Sequence, residues 1–299
     1  GWTWSKGFSD AALTDESRKA LASSCIEMFI KGNLPLLDGD PAGGTGAAAG
    51  VFDGIDIDWE YPAAAGNDGT VFRPEDTANF TALLAEFRRQ LNAIDPRLLL
   101  TIAAPAGQDK IDKIEAGRIH ESLNWINLMT YDMHGAWDRS GPTNFHAPLY
   151  ASPNDPSTGI AKQYSADAAV SAYLAAGVPA NKVVIGVPFY GRGWTGVPNV
   201  NDGLHQSSPQ ISPAPGTYEA GIEDYKVLKA LGAPGHRDTV TQAYWTFSNS
   251  TFWSYDDPIA IATKMAYVKS KNLLGAMVWE LDGDTPDGEL LNAVASGLR

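Results

Sequence analysis

The sequence predicts an α/β chain built as a (β/α) barrel, and three observations point there. Short apolar runs bounded by turn residues alternate with amphipathic stretches of helical period, the pattern of a parallel sheet with crossover helices. Five such runs occur, at 51–62, 98–107, 123–135, 182–194 and 272–284. Each ends in residues able to do chemistry: Glu60, Pro105, Tyr131 with Asp132, Tyr190 to Arg192, and Trp279 with Glu280. Barrels carry their active sites on that C-terminal face of the strands. A full barrel has eight strands, and beyond these five only a stub at residues 1–4 reads as a sixth.

Residues 14–31 read as a helix with Leu21, Cys25, Met28 and Phe29 along one face. Residues 32–50, rich in Gly, Ala and Pro, read as a loop. The stretch 51–62, VFDGIDIDWEYP, begins as an apolar strand and ends in acids. Strand alternation puts Asp56, Asp58 and Glu60 on one face and Ile55, Ile57 and Trp59 on the other. The apolar face implies a strand buried on both sides. Residues 74–94 form an amphipathic helix with Phe80, Leu83, Leu84, Phe87, Leu91 and Ile94 in one stripe. A helix at 165–176 aligns Val170, Tyr173 and Leu174, with Gly177 as its stop. Residues 193–253 break the alternation with Pro, Gly, Ser and Asn clusters, a helical stretch near 221–231 and strand-like pieces such as AYWTF. They predict a small α+β insertion, leaving 1–192 and 254–299 to the barrel. Asp257 and Pro258 open a helix to Lys271 as N-cap and first-turn proline. A last helix runs over 287–298.

The net charge of −13 and a pI near 4.7 argue against nucleic acid, whose phosphates attract basic patches; the plain reading is a solvated acidic surface. Cys25 is the only cysteine, so no disulfide forms within the chain, and it is expected to be inert core. No apolar run approaches the ~18 residues of a membrane span. The chain opens at GWTWSKGF, without Met and in mid-fold, so its true start is expected upstream. Asn79-Phe-Thr81 and Asn249-Ser-Thr251 match the glycosylation triplet, a pattern common by chance.

The chemistry concentrates in the acidic row. Same-face steps along a strand are roughly 6.5–7 Å, so three carboxylates there cannot all ionise freely, and each raises its neighbour's pKa. Such a row suits proton transfer at a substrate. The competing reading is a metal cage, but no further acid, His or Asn falls at ligand spacing, and the five His are scattered.

The row, DGIDIDWE at 53–60, resembles the DxxDxDxE signature of the family-18 glycoside hydrolases, the chitinases. GWTWS at 1–5 is similar to the tail of the family's third-strand motif. MTYD (129–132), GVPFYGRGW (186–194), SYDDP (254–258) and GAMVWELDGD (275–284) come after it in family order. Each alone is weak; together they are specific and span the chain. The resemblance implies a (β/α)8 TIM barrel whose first two β/α units and most of strand three lie upstream of Gly1. It also implies an insertion between strands seven and eight, as in the deep-cleft subfamily.

The implied reaction is a retaining, substrate-assisted hydrolysis of β-1,4-linked N-acetylglucosamine polymers, an exception to the two-carboxylate scheme. Glu60 is the implied general acid and base, Asp58 orients the substrate's acetamide, and Asp56 shares a proton with Asp58. Asp53 is expected to be structural. The Tyr131 hydroxyl is implied to bond the acetamido oxygen, and Asp132 a sugar hydroxyl; without the resemblance they read as core and as a loop cap. Trp279 is the implied floor under the distorted sugar, with barrel core as the equal alternative. Trp2 and Trp137 are implied sugar platforms. Tyr61, Met129, Tyr190 and Arg192 line the same mouth, and Ala104 leaves room for the acetamide methyl. The Glu60–Tyr61 and Trp279–Glu280 peptides are expected to be cis. Neither metal nor organic cofactor is implied, and the expected partners are chitin and chitooligosaccharides, with no nucleic acid or membrane. The protein is expected to be a secreted monomer. Two other readings stay open: an endo-β-N-acetylglucosaminidase acting on N-linked glycans, and an inactive chitin-binding lectin, although such lectins lose the terminal acid that Glu60 supplies here.

Overall fold

The computed structural model describes residues 1–38 and 41–299. The chain divides into two compact units, one of Gly1–Pro105, Asp109–Ile126 and Ala176–Val178, the other of Ala106–Gln108, Asn127–Ala175 and Pro179–Arg299.

In the first unit, strand β1 (Gly54–Ile57) pairs in parallel with β2 (Leu99–Ala104), from Gly54 opposite Leu99 to Ile57 opposite Ile102. Gly54 is required by this approach, since a Cβ there would lie 2.3 Å from the Leu99 carbonyl oxygen. The expected strand 51–62 is therefore shorter, and Asp58, Trp59 and Glu60 lie past its ladder. Asp56 is exposed, so β1 is not buried on both sides as its apolar residues suggested. The helix Asp76–Ile94 buries Phe80, Leu83, Leu84, Phe87 and Leu91 at 0–3% exposure. Each such side chain contributes about 1.5–3 kcal/mol relative to exposure. Ile94, the helix's last residue, is half-exposed instead of closing the stripe.

The helix Asp15–Cys25 starts at a capping box, Thr14 Oγ1 accepting from the Ser17 N–H and Ser17 Oγ from the Thr14 N–H. At Ile26–Ile30 it widens into a π turn. A π turn adds a residue per turn and so rotates the face of the residues beyond it. Ala22 and Ile26 take the buried positions, Leu21, Cys25 and Met28 are half-buried, and Phe29, within the π turn, is exposed. Cys25 is thus not core, although burial still pushes its thiol pKa up. The loop 32–50 includes residues 39 and 40, outside the described residues; its described part closes through a Leu34–Gly44 bridge.

Strand β3 (Trp125–Leu128) lies at the division between the units. In the second unit, β4 (Val183–Pro188) is buried along its whole length, as near-continuous apolar strands of parallel sheets are. The predicted strand 182–194 then breaks at Phe189. Beyond the break lies an antiparallel sheet made of β5 (Tyr190–Thr195), β6 (Ser212–Pro213), β7 (Ile222–Asp224), β8 (Gly235–Arg237), β9 (Tyr244–Ser248) and β10 (Thr251–Tyr255). Its order is β6-β5-β10-β9-β8, with β7 also on β5. The residues between β9 and β10, Asn249 and Ser250, both have positive φ (49° and 58°), the requirement of a type I′ hairpin. Trp194, Phe252, Trp245 and Phe145 form the core of this sheet. Tyr190 and Arg192 lie on its strand β5, although the sequence placed them with the barrel. β11 (Gly275–Trp279) returns to pair in parallel with β4. The helix Pro258–Ser270 opens as expected, Asp257 accepting from the Ala260 N–H and Pro258 standing first. This unit also holds the helices Ala166–Ala175, Tyr225–Ala230 and Glu289–Leu298.

Candidate active site

The first unit carries the acidic row. Where β1 ends, Trp59 is 1% exposed, stacked on Phe8 (ring centroids 5.4 Å apart) and edge-on to Phe80 (5.6 Å). This packing anchors the backbone from which Glu60, itself 7% exposed, projects. Burial, and then the charge of Asp58, push the Glu60 carboxyl up to about 7. A carboxyl so placed is still half protonated at neutral pH, as a general acid needs. Asp58 keeps one buried carboxylate oxygen, Oδ1, without a hydrogen-bond partner among the described residues. The Glu60 N–H donates to Ser5 Oγ at 2.8 Å.

Asp56 accepts from Thr101 Oγ1, its opposite number in the β1–β2 register. Its place within the ladder and its exposure separate it from the buried end of the row. Asp53 is exposed and accepts the Leu99 N–H through its carbonyl at 2.9 Å, a backbone part in opening the ladder. Tyr61 sets its ring edge-on to the half-exposed Trp2 at 6.5 Å, with Lys110 Nζ 5.4 Å from its centroid. The Glu60–Tyr61 peptide is cis, as expected. Ala104 is the last residue of β2 and fully buried.

In the second unit, Tyr131 stands three residues past β3, half-buried, its ring 6.1 Å from that of Tyr190 and its hydroxyl 3.8 Å from Met277 Sδ. Gly186 makes the space, because a Cβ there would lie 2.6 Å from both the Tyr131 ring and the Leu128 carbonyl oxygen. Asp132 has a positive φ of 55°. Its carboxylate is held by Arg192 Nε and Nη2, each at 2.8 Å, and by the Tyr190 hydroxyl at 2.7 Å. Desolvation by the groups around it favours its protonation although the residue itself is exposed, but His146 and the Arg192 guanidinium outweigh that and hold the carboxyl well below the usual range. His146 lies 3.7 Å away, beyond hydrogen-bond reach, so the direct bonds come from Arg192 and Tyr190.

Arg192 also lays its guanidinium against the ring of Trp137, 5.3 Å from the centroid. Tyr190 and Arg192, expected at the mouth, are thus engaged with Asp132, Tyr190 being only 8% exposed. Met129 is half-buried. Trp137 and Trp279 are half-exposed (53% and 52%), and the Trp279 peptide to Glu280 is cis as expected. Among the described residues no three His, Cys, Asp or Glu side chains come together as metal ligands.

Several residues at these sites escaped the sequence reading. Trp59 was placed only by alternation, and its anchoring contacts come from residues far along the chain. Ser5 stands inside the quoted GWTWS, yet nothing local marks its hydroxyl. His146 is fully buried with its ring 5.2 Å from Tyr190, and burial holds it below its ordinary pKa.

The sequence profile of Glycosyl hydrolases family 18 matches residues 1–284. Chitinase A1 of Niallia circulans is 40% identical over 297 residues, covering 95% of this chain and 40% of that protein. Chitinase 63 of Streptomyces plicatus is 42% identical, covering 100% of this chain and 44% of its own length. The chain thus spans about two fifths of these curated relatives. The solved catalytic domain of psychrophilic chitinase B from Arthrobacter TAD20 superposes with a TM-score of 0.93 at 44% identity, covering 100% of this chain and 68% of that one. The fold class is accordingly the (β/α) barrel.

Proposed function

This chain belongs to glycosyl hydrolase family 18, and on that premise we propose that it acts as a chitinase, a retaining hydrolase of β-1,4-linked N-acetylglucosamine polymers. The observation that carries the reading is Glu60: the terminal acid of DGIDIDWE, buried and raised to about 7 beside Asp58. In the first step the Glu60 carboxyl gives its proton to the glycosidic oxygen as the C1–O bond breaks. The substrate's own acetamido oxygen bonds to C1, giving an oxazolinium ion. Asp58, with a buried oxygen free to accept, holds the acetamide N–H and balances the positive charge. Water then attacks C1 as the bond from the acetamido oxygen breaks, and yields its proton to Glu60, restoring both acid and configuration.

The Tyr131 hydroxyl is the donor toward the acetamido oxygen. Trp2, Trp137 and Trp279, each about half-exposed, are the faces on which sugar rings stack. The same reading keeps 193–253 as an insertion whose sheet takes Tyr190–Arg192 from the preceding segment, and makes the protein a secreted monomer. No helix among the described residues is long and apolar enough to cross a membrane.

The test is hydrolysis of chitooligosaccharides by wild type and Glu60→Gln. The variant is expected to keep binding and lose turnover by about 10²-fold or more. A wild-type rate in the variant would remove Glu60 from its role. A fully deacetylated polymer, lacking the internal nucleophile, is expected to resist cleavage; equal rates on both polymers would end the substrate-assisted scheme.

A further inference from the structure

We infer that Ser5 is a positioning residue for the acid: its hydroxyl fixes the Trp59–Glu60 peptide plane and so the direction in which the Glu60 carboxyl is presented. This rests on the reading of Glu60 as general acid. The β1–β2 ladder ends at Ile57 opposite Ile102, so no strand neighbour serves the Glu60 N–H. Ser5 does, from a fully buried position: its Oγ accepts that N–H at 2.8 Å. The same oxygen lies 2.9 Å from the Gly1 carbonyl oxygen and 3.4 Å from that of Asp58. A hydroxyl has one proton to give, and the shorter contact takes it, leaving the oxygen lone pairs turned to Glu60.

The surroundings make this bond selective for orientation. Trp59 is already clamped between Phe8 and Phe80, so packing fixes where the backbone runs. What packing does not fix is the rotation of the next peptide plane, because an amide plane swings with little change in side-chain contact. A buried N–H left without an acceptor is unfavourable, so without Ser5 this plane turns to find one, and the Cα that carries the Glu60 side chain turns with it.

The experiment uses Ser5→Ala, Ser5→Cys, Ser5→Thr and Glu60→Gln in the full chain. Thermal unfolding is followed with kcat and KM on a chitooligosaccharide across the pH range. Ser5→Ala is expected to lower kcat by roughly 10–100-fold with KM within about twofold, the mark of a transition-state effect. The alkaline limb of kcat/KM is expected to move to lower pH, because a loosened Glu60 is better solvated. Ser5→Cys, of similar volume with a poorer acceptor, should behave likewise, and Ser5→Thr, which keeps the hydroxyl, should recover most of kcat. The inference is overturned if Ser5→Ala or Ser5→Cys keeps wild-type kcat and pH limb, if activity falls only with the folded fraction, or if neither variant folds. If Glu60→Gln is as fast as wild type, the functional reading itself fails; if it is dead while Ser5→Ala is unimpaired, only the role of Ser5 falls.

Discussion

On the proposed reading, Glu60 sets two pH dependences that can be separated. Its carboxyl, ordinarily near 4.5, is raised to about 7 by burial and then by Asp58. Only the protonated form can donate, so kcat/KM is expected to fall roughly tenfold per pH unit above about 7, measurable on a soluble chitooligosaccharide; a limb near 5 instead would mean Glu60 is not the acid. Stability responds separately. The folded state holds this proton more tightly than the unfolded chain, so its contribution is full below about 4.5, is lost as pH rises through 7, and is constant above. At about 1.4 kcal/mol per pH unit the loss is at most about 3.5 kcal/mol. Glu60→Gln carries no such proton. It is therefore expected to match wild type in melting temperature near pH 4 and to exceed it near pH 8; a gap independent of pH would contradict the burial of the charge. Arg192 offers a second residue-scale case. It spends Nε and Nη2 on Asp132 and its face on Trp137. Lysine has neither a fork nor a plane, so Arg192→Lys is expected to lower stability by about 1–3 kcal/mol in denaturant unfolding, and an unchanged midpoint would show the fork to be dispensable.

At the scale of elements, what the sequence made legible was what a single periodicity controls. The stripe Phe80, Leu83, Leu84, Phe87 and Leu91 arises from 3.6-residue spacing, and the start at Asp257-Pro258 from cap chemistry; both stand in the structure. What failed depended on partners elsewhere in the chain. β1 leaves its ladder at Ile57 while β2 runs on to Ala104, and the Glu60 N–H beyond goes to Ser5 instead; the helix from Asp15 widens at Ile26 into a π turn that no residue type announces. KVVIGVPFYGRGW reads as one strand, yet Tyr190–Thr195 leaves β4 to join an antiparallel sheet. A prediction at this scale rests on Gly186 in β4. A methyl there meets the Leu128 carbonyl, which is backbone and cannot yield cheaply, and the Tyr131 ring. Gly186→Ala is therefore expected to cost about 1–3 kcal/mol by overpacking and to depress kcat by displacing Tyr131. A variant as stable and active as wild type would show that β4 has room to spare.

For the whole molecule, the family was legible because six short motifs keep one order, while the contacts that support the acid were not, since Ser5 and Glu60 are 55 residues apart in sequence. Composition contributes one property that no motif carries, the formal charge of −13. A neutral N-acetylglucosamine polymer does not respond to that field. A partly deacetylated polymer, with protonated amines among its acetylated units, is drawn toward it, and salt removes the attraction because the screening length shrinks from about 30 Å at 0.01 M to about 3 Å at 1 M. Attraction at a distance acts on encounter and binding, not on the chemistry beside Glu60. Raising the salt over this range at about pH 6 is therefore expected to raise KM for the partly deacetylated polymer by roughly threefold or more, with kcat unchanged. The fully acetylated oligomer should keep its KM over the same range. If both substrates weakened together, salt would be acting on the sugar platforms or on the fold, and the acidic surface would have no part in choosing the polymer.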